Sequence, residues 1–457
     1  MIIGRNIFLI LFLLYVLSFN SIYSGFIQED WLLIKNYTFS EILTIFYSSW
    51  SEIYRQEYFR PLVIVSYAVD YKIFGLNFIG HHISHLVYYS IMLVLLYLSI
   101  LKFSKNNIIA FLTTFIFLIN PISAYHSEVL TQRTDVLGLL FAIMSFYMFL
   151  FYRDSDKNSK AYLMLTVLLY LLALLSKETY LIYVGLIFFM MLNDKKRYEK
   201  KYLKYFFSIL IVSILYLVYW TILDLGSSNH SPMLGSYISA ILNIYFSNEA
   251  ITQIDSLIVQ IVIFISIASV FIFGRYKFFT SKIMLIIFIL SIIFFLSERI
   301  RLLTIPGIVF SYYLAVNVYL LSKHIQKNKK IKYLMLNLLI IVVSYFFITF
   351  HYKKDLGIGS EYYKYANIVF YQNKNIIPEE NRNKYDELIE SFGLSENEQV
   401  QYVSDWLQKN ENKFKKNKYL KYISLFLFVM IVGRYIRYIV IVLRRLVLKI
   451  INIKYYK

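Results

Sequence analysis

The chain has 457 residues, of which 59% are hydrophobic, 19% aromatic and only 16% charged, and its mean hydropathy is +0.57. A soluble globular chain carries about 45–50% apolar and about 25% charged residues, so this composition excludes a soluble fold and predicts an all-α polytopic membrane protein. The formal net charge of +19 would suggest nucleic acid in a soluble chain, but the Lys and Arg residues gather in loops between apolar runs and leave no basic stripe elsewhere, which argues against a nucleic acid partner.

The first apolar run, Ile7 to Ile22, has Arg5 ahead of it and no small-x-small cleavage pattern, so an uncleaved first helix is expected rather than a signal peptide. A span needs about 17–25 apolar residues. By that measure spans are predicted near residues 6–24, 80–101, 108–123, 134–152, 161–176, 179–192, 205–223, 256–273, 282–296, 304–321, 332–349 and 420–443, within a count of about 11–13. With the N-terminus cytoplasmic, every second connection is basic: Lys102 and Lys105, Arg153 to Lys160, Lys195 to Lys204, Arg275 to Lys282, Lys323 to Lys332, and the tail from Arg444 to Lys457. That alternation is the positive-inside pattern and sets the expected orientation. Cysteine is absent, which excludes disulfides and thiolate metal sites.

Three regions follow. Residues 1–349 form a membrane region with a first outer loop at 25–79. Residues 350–419 form a small non-cytoplasmic helical module, with helices expected at Asn383 to Phe392 and Glu396 to Lys409. Residues 420–457 give a last span, with Arg434 and Arg437 snorkelling from one helix face, and a basic tail.

Charged residues of both signs collect on the expected non-cytoplasmic face. They are Glu29-Asp30, Arg60, Glu128, Arg133, Asp135, Lys177-Glu178 and Glu298-Arg299. Such a set suits a substrate with an anionic phosphate and a proton to be removed: guanidinium groups fork onto phosphate oxygens, and a carboxylate takes a proton or holds a cation. Each has a plainer reading as well. A charged loop at a membrane interface is ordinarily solvated, and Arg133 with Asp135 reads as an ion pair at a helix start. His81, His82 and His85 share helical spacing but read as interface histidines rather than a metal set.

In order along the chain, Phe26-Ile27-Gln28-Glu29-Asp30-Trp31 with Asn36, Tyr58-Phe59-Arg60-Pro61-Leu62, Ser66 to Tyr71, Phe74-Gly75-Leu76-Asn77, His82 and His85-Leu86, Asn120-Pro121, Glu128-Val129, Arg133-x-Asp135, Leu175-Ser176-Lys177-Glu178 and Glu298-Arg299 before Pro306-Gly307 form a pattern. It resembles the transmembrane-and-TPR O-mannosyltransferases and their bacterial relatives over roughly residues 25–320. The resemblance implies a GT-C glycosyltransferase that moves a sugar from a polyprenyl-phosphate donor to a hydroxyl acceptor on the non-cytoplasmic face of a bilayer. By that likeness Asp30, or Glu29, is the catalytic acid/base or the holder of a divalent cation such as Mg or Mn. Arg60, Arg133, Lys177 and Arg299 are then donor-phosphate ligands, with Glu128, Asp135, Glu178, Glu298 and His82 in support. The chain departs from the pattern in having Glu29 for the usual first Asp, Asn120 for the usual His, and no TPR array. The missing array suggests a bacterial inner membrane with the site facing outward. Two other classes stay open: a transporter or flippase for lipid-linked or polysaccharide substrates, and a non-catalytic scaffold of the same fold.

Overall fold

The computed structural model describes residues 2–27, 30–48, 59–119, 121–155, 159–185, 187, 200–222 and 377–394, with single positions within 305–319, 364–371 and 398–405. The described residues are helical without strands, as expected of a helical membrane protein. Residues Met1–Leu394 make one compact unit and Ser395–Lys457 another. In the second unit the described positions are helical, and the Gln401 amide donates to Asp405 at 2.7 Å.

The described part of the larger unit contains the apolar helices α1 (Ile2–Ser18), α5 (Phe78–Ser104), α6 (Asn107–Leu118), α8 (Arg133–Asp154), α9 (Ser159–Ser176) and α10 (Lys200–Ile222). Between α1 and α5 lie α2 (Asp30–Leu33), α3 (Phe39–Thr44) and α4 (Pro61–Phe74). The short α7 (Pro121–Glu128) precedes α8, and α11 (Glu379–Ser391) comes late in the chain. Among the described residues three stretches, Phe78–Ser104, Leu130–Asp154 and Lys201–Ile222, are long and apolar enough to cross a membrane; α1, α6 and α9 are shorter apolar helices. At 1.5 Å per residue the 27 residues of α5 reach about 40 Å, more than the roughly 30 Å hydrocarbon layer. The α8 span is 67% buried against 39% for α5 and 22% for α10, so α8 is the central helix, packed on α5 and α9.

The ends alternate as the basic connections require. Lys102 at the end of α5 meets Asp154 at the end of α8 at 3.2 Å, and Lys201 at the start of α10 donates to the Ser155 carbonyl at 2.7 Å. At the opposite end, Lys177 just beyond α9 reaches Asp135 at the start of α8.

Two expectations are corrected. The span expected at 108–123 stops at Leu118, because Pro121 lacks the N–H needed to continue the helix and starts α7 instead. The span expected from 179 opens as a 3₁₀ turn, Glu178–Leu181, before any α-helical residue. The helices expected at 256–273, 282–296, 332–349 and 420–443, with Arg434 and Arg437, lie outside the described residues, as do most of 304–321 and of Glu396 to Lys409.

Local chemistry explains the joints that place the site. Arg60 precedes Pro61 at the first turn of α4, where a missing N–H costs no helical bond. Gly75 ends α4 at φ +57° and ψ −129°, a conformation that a Cβ disfavours, and turns the chain so that Asn77 can cap α5 by accepting from the Ile79 N–H at 3.1 Å. A Cβ on Gly80 would enter the Phe74 ring, so this glycine lets α4 and α5 approach closely.

Candidate active site

At one end of the helices, α4, the start of α5, the end of α7, the start of α8 and the turn after α9 converge on two ionic groups, the first buried and the second partly exposed at Arg60 and Glu178. In the first, Arg133 Nη1 lies 2.5 Å from Asp70 Oδ2, and its Nη2 donates to the His81 carbonyl at 3.1 Å. The guanidinium is wholly buried between two aromatic rings, 4.5 Å from the Tyr67 centroid and 5.7 Å from that of Tyr88. Asp70 also accepts from the Ser84 hydroxyl at 2.8 Å, and His81 Nδ1 stands 3.9 Å from it. The Tyr67 hydroxyl donates to the Leu130 carbonyl at 2.6 Å, fixing the turn that leads into Arg133.

In the second group, Arg60 forks onto Glu178, with Nε 3.1 Å from Oε2 and Nη2 2.8 Å from Oε1. The neighbouring Lys177 turns inward to Asp135 Oδ2 at 2.5 Å. Burial would raise the Glu178 carboxyl, but Arg60 and then Lys177 outweigh it and hold the group down to about 2. Burial lowers the Lys177 ammonium, while Asp135 opposes that shift. The Arg60 side chain is 11% exposed and the Lys177 side chain 3%. Among the described cations of this cluster, Arg60 is therefore the most open to an incoming ligand.

Asp30 begins α2 and is 1% exposed. Its Oδ2 accepts from the Ile27 N–H at 3.0 Å, which folds the preceding loop back over the carboxylate. Phe26 ties this loop to the first ionic group, its ring 5.4 Å from Trp31 and 5.5 Å from His81. Burial raises the Tyr67 phenol above its usual pKa, Arg133 opposes that and Asp30 adds to it, so Asp30, Tyr67 and Arg133 share one electrostatic neighbourhood.

The histidines are buried, not interfacial, which corrects the sequence reading. His81 Nε2–H donates to the Gly75 carbonyl at 2.9 Å, His82 meets the Ser24 hydroxyl at 3.1 Å, and His85 Nε2–H donates to the His126 carbonyl at 2.7 Å. They stitch α5 to its neighbours. Glu128 is buried at the end of α7. The expected Arg133–Asp135 pair does not form: residues two apart on a helix point to different sides, so Arg133 takes Asp70 and Asp135 takes Lys177. Lys177-Glu178 is no solvated tip, since Lys177 is buried and Glu178 is locked by Arg60.

Glu29, Glu298 and Arg299 lie outside the described residues. Among the described residues no three His, Asp or Glu side chains gather as a metal-binding set.

Asp70 and Tyr67 were not singled out from the sequence. The signal was there: Tyr67 and Asp70 are three apart on one face of α4, and an acid inside an apolar run calls for a buried partner. Asn381 is a third such residue. Its side-chain amide donates to the Trp31 carbonyl at 3.0 Å and the Ile34 carbonyl at 2.7 Å.

No curated protein matches the chain. The resemblance read from its residues is borne out over α4 to α10: residues 61–220 match the family model described as dolichyl-phosphate-mannose-protein mannosyltransferase, which points to a membrane glycosyltransferase of the GT-C kind.

Proposed function

We propose that the protein transfers a sugar from a polyprenyl-phosphate donor to a hydroxyl acceptor on the non-cytoplasmic face of a cell-envelope membrane, with Asp30 as the proton acceptor. The observation that carries this reading is the buried Asp30 carboxylate, whose loop is tied through the Phe26 ring to His81 of the Arg133 group, in a chain whose α4–α10 region matches a mannosyltransferase family. An acceptor hydroxyl would attack the anomeric carbon as the lipid phosphate leaves from the other side, inverting that carbon. Asp30 would take the hydroxyl proton, a step worth about 10²- to 10⁴-fold in such reactions. Arg60 is the first candidate to meet the leaving phosphate, because its fork is the most exposed and a phosphate offers the same paired geometry as Glu178. Arg133 and Lys177, more deeply buried than Arg60, would shape the field at the site rather than touch the donor.

A groove between α5, α8 and the helical positions near 305–312 is lined mainly by apolar side chains, Leu96, Phe103, Ile143, Phe146 and Ile305 among them, with Ser99, Tyr183 and Tyr312 also at its walls. It supports a lipid-linked donor by offering an isoprenoid tail a matching surface.

The test is transfer of labelled mannose from polyprenyl-phosphate-mannose to endogenous acceptors in membranes carrying the protein. Asp30→Asn, nearly isosteric, should lower the rate by at least about 10²-fold at equal protein level. Transfer at the wild-type rate overturns the assignment.

A further inference from the structure

Asp30 sits on a helix of only four residues, too short to hold itself in place by its own hydrogen bonds. Such a helix leaves carbonyl groups unsatisfied at its C-terminal end. Side chains take them here. The Tyr37 hydroxyl donates to the Leu33 carbonyl at 3.0 Å, and the Asn381 amide donates to the carbonyls of both Trp31 and Ile34. Asn381 is fully buried, although it belongs to α11, a polar helix some 350 residues further along the chain. The rest of the α11 region fastens to the same loop: the Tyr385 ring packs on Trp31 at 5.4 Å, Glu380 accepts from the Asn36 N–H at 2.8 Å, and Asn367 donates to the Phe26 carbonyl at 3.3 Å. Phe26 and Asn36 flank α2, so α11 and its neighbours grip the loop on both sides of the carboxylate.

We propose that Asn381 is a positioning residue: by capping α2 it sets the place and burial of the Asp30 carboxylate. Two carbonyls converge on one side-chain amide, and only a donor fits between them. An oxygen of the same size would face two other oxygens. Asn381→Asp should therefore be worse than its volume suggests, and Asn381→Gln, which keeps the amide, should restore part of the function. The inference rests on the reading of Asp30 as the proton acceptor, and its test separates the two.

Full-length protein in detergent is treated with a carbodiimide and glycine ethyl ester, and labelling of Asp30 is followed by mass spectrometry, with the buried Asp135 as internal reference. Mannose transfer from polyprenyl-phosphate-mannose is measured on the same preparations. Expected in Asn381→Asp and Asn381→Ala is Asp30 labelling raised several-fold while Asp135 stays protected. Turnover should fall by tenfold or more with little change in donor KM, and Asn381→Gln should recover much of both. Unchanged Asp30 labelling in Asn381→Asp overturns the proposal, and so does labelling of Asp135 that rises in parallel, since that reports a general loss of fold. If Asp30 becomes exposed as expected but Asp30→Asn still transfers mannose at the wild-type rate, the hold of Asn381 on α2 stands and the catalytic role of Asp30 falls.

Discussion

Arg133 and Asp70, 63 residues apart in sequence, form a buried ion pair that joins the central helix α8 to α4. Breaking such a pair from one side leaves a charge stranded in a low-dielectric interior, at a cost of about 3–5 kcal/mol, whereas replacing both partners by apolar groups of similar volume is often neutral or stabilising. Arg133→Met should therefore reduce thermal stability in detergent sharply, and Asp70→Leu with Arg133→Met together should recover most of it. Two losses that simply add would show that the pair is not the coupling element.

The Arg60–Glu178 fork gives stability a definite pH dependence. The Glu178 carboxyl is held at about 2 in the folded protein, below its ordinary 4.5. A depressed acid contributes stability that is complete above the unfolded-state value and is lost as pH falls from there towards the folded value. Melting temperatures between pH 6 and 2.5 should fall through the lower half of that range. Glu178→Gln should lower stability near neutrality and flatten the acid-side slope. A slope that persists unchanged assigns the effect to other carboxylates.

Gly138 is set by the Tyr180 ring. A Cβ there would enter the ring, and the ring cannot swing away freely because its hydroxyl donates to the Asp135 carbonyl at 2.9 Å. Gly138→Ala should cost about 1–3 kcal/mol through overpacking. With Tyr180→Ala in the background, the same change should turn neutral or favourable, since alanine is the better helix former by about 1 kcal/mol. Thermal denaturation of the four proteins in the cycle measures that reversal of sign.

The helical class and the alternation of helix ends were legible in the sequence because both follow from one-dimensional signals, apolar run length and loop charge. Arg60, Asp135, Lys177 and Glu178 were legible as a charged set at one end of the bundle, but their partners were not. Pairing depends on which helix faces meet: Asp70, inside an apolar helix, and Tyr67, one turn before it, matter only because α4 lies against the start of α8. The histidines were misread because a histidine near a helix end looks the same whether lipid headgroups or a neighbouring helix surround it; carbonyls from Gly75 and His126 decided the matter. Asn381 gave no local sign, since an asparagine in a polar helix is ordinarily a surface residue.

The clasp of α11 on α2 also sets an order of events during synthesis. Residues that complete the Asp30 loop are made about 350 residues after it, a delay of roughly 20–70 s at about 5–20 residues per second. The apolar helices that follow the loop can insert in that interval, yet the loop itself stays unfinished until α11 arrives. A ribosome that stalls in between leaves the preceding helices made but the loop around Asp30 without its clasp, so the burial of that carboxylate depends on a segment made long after it.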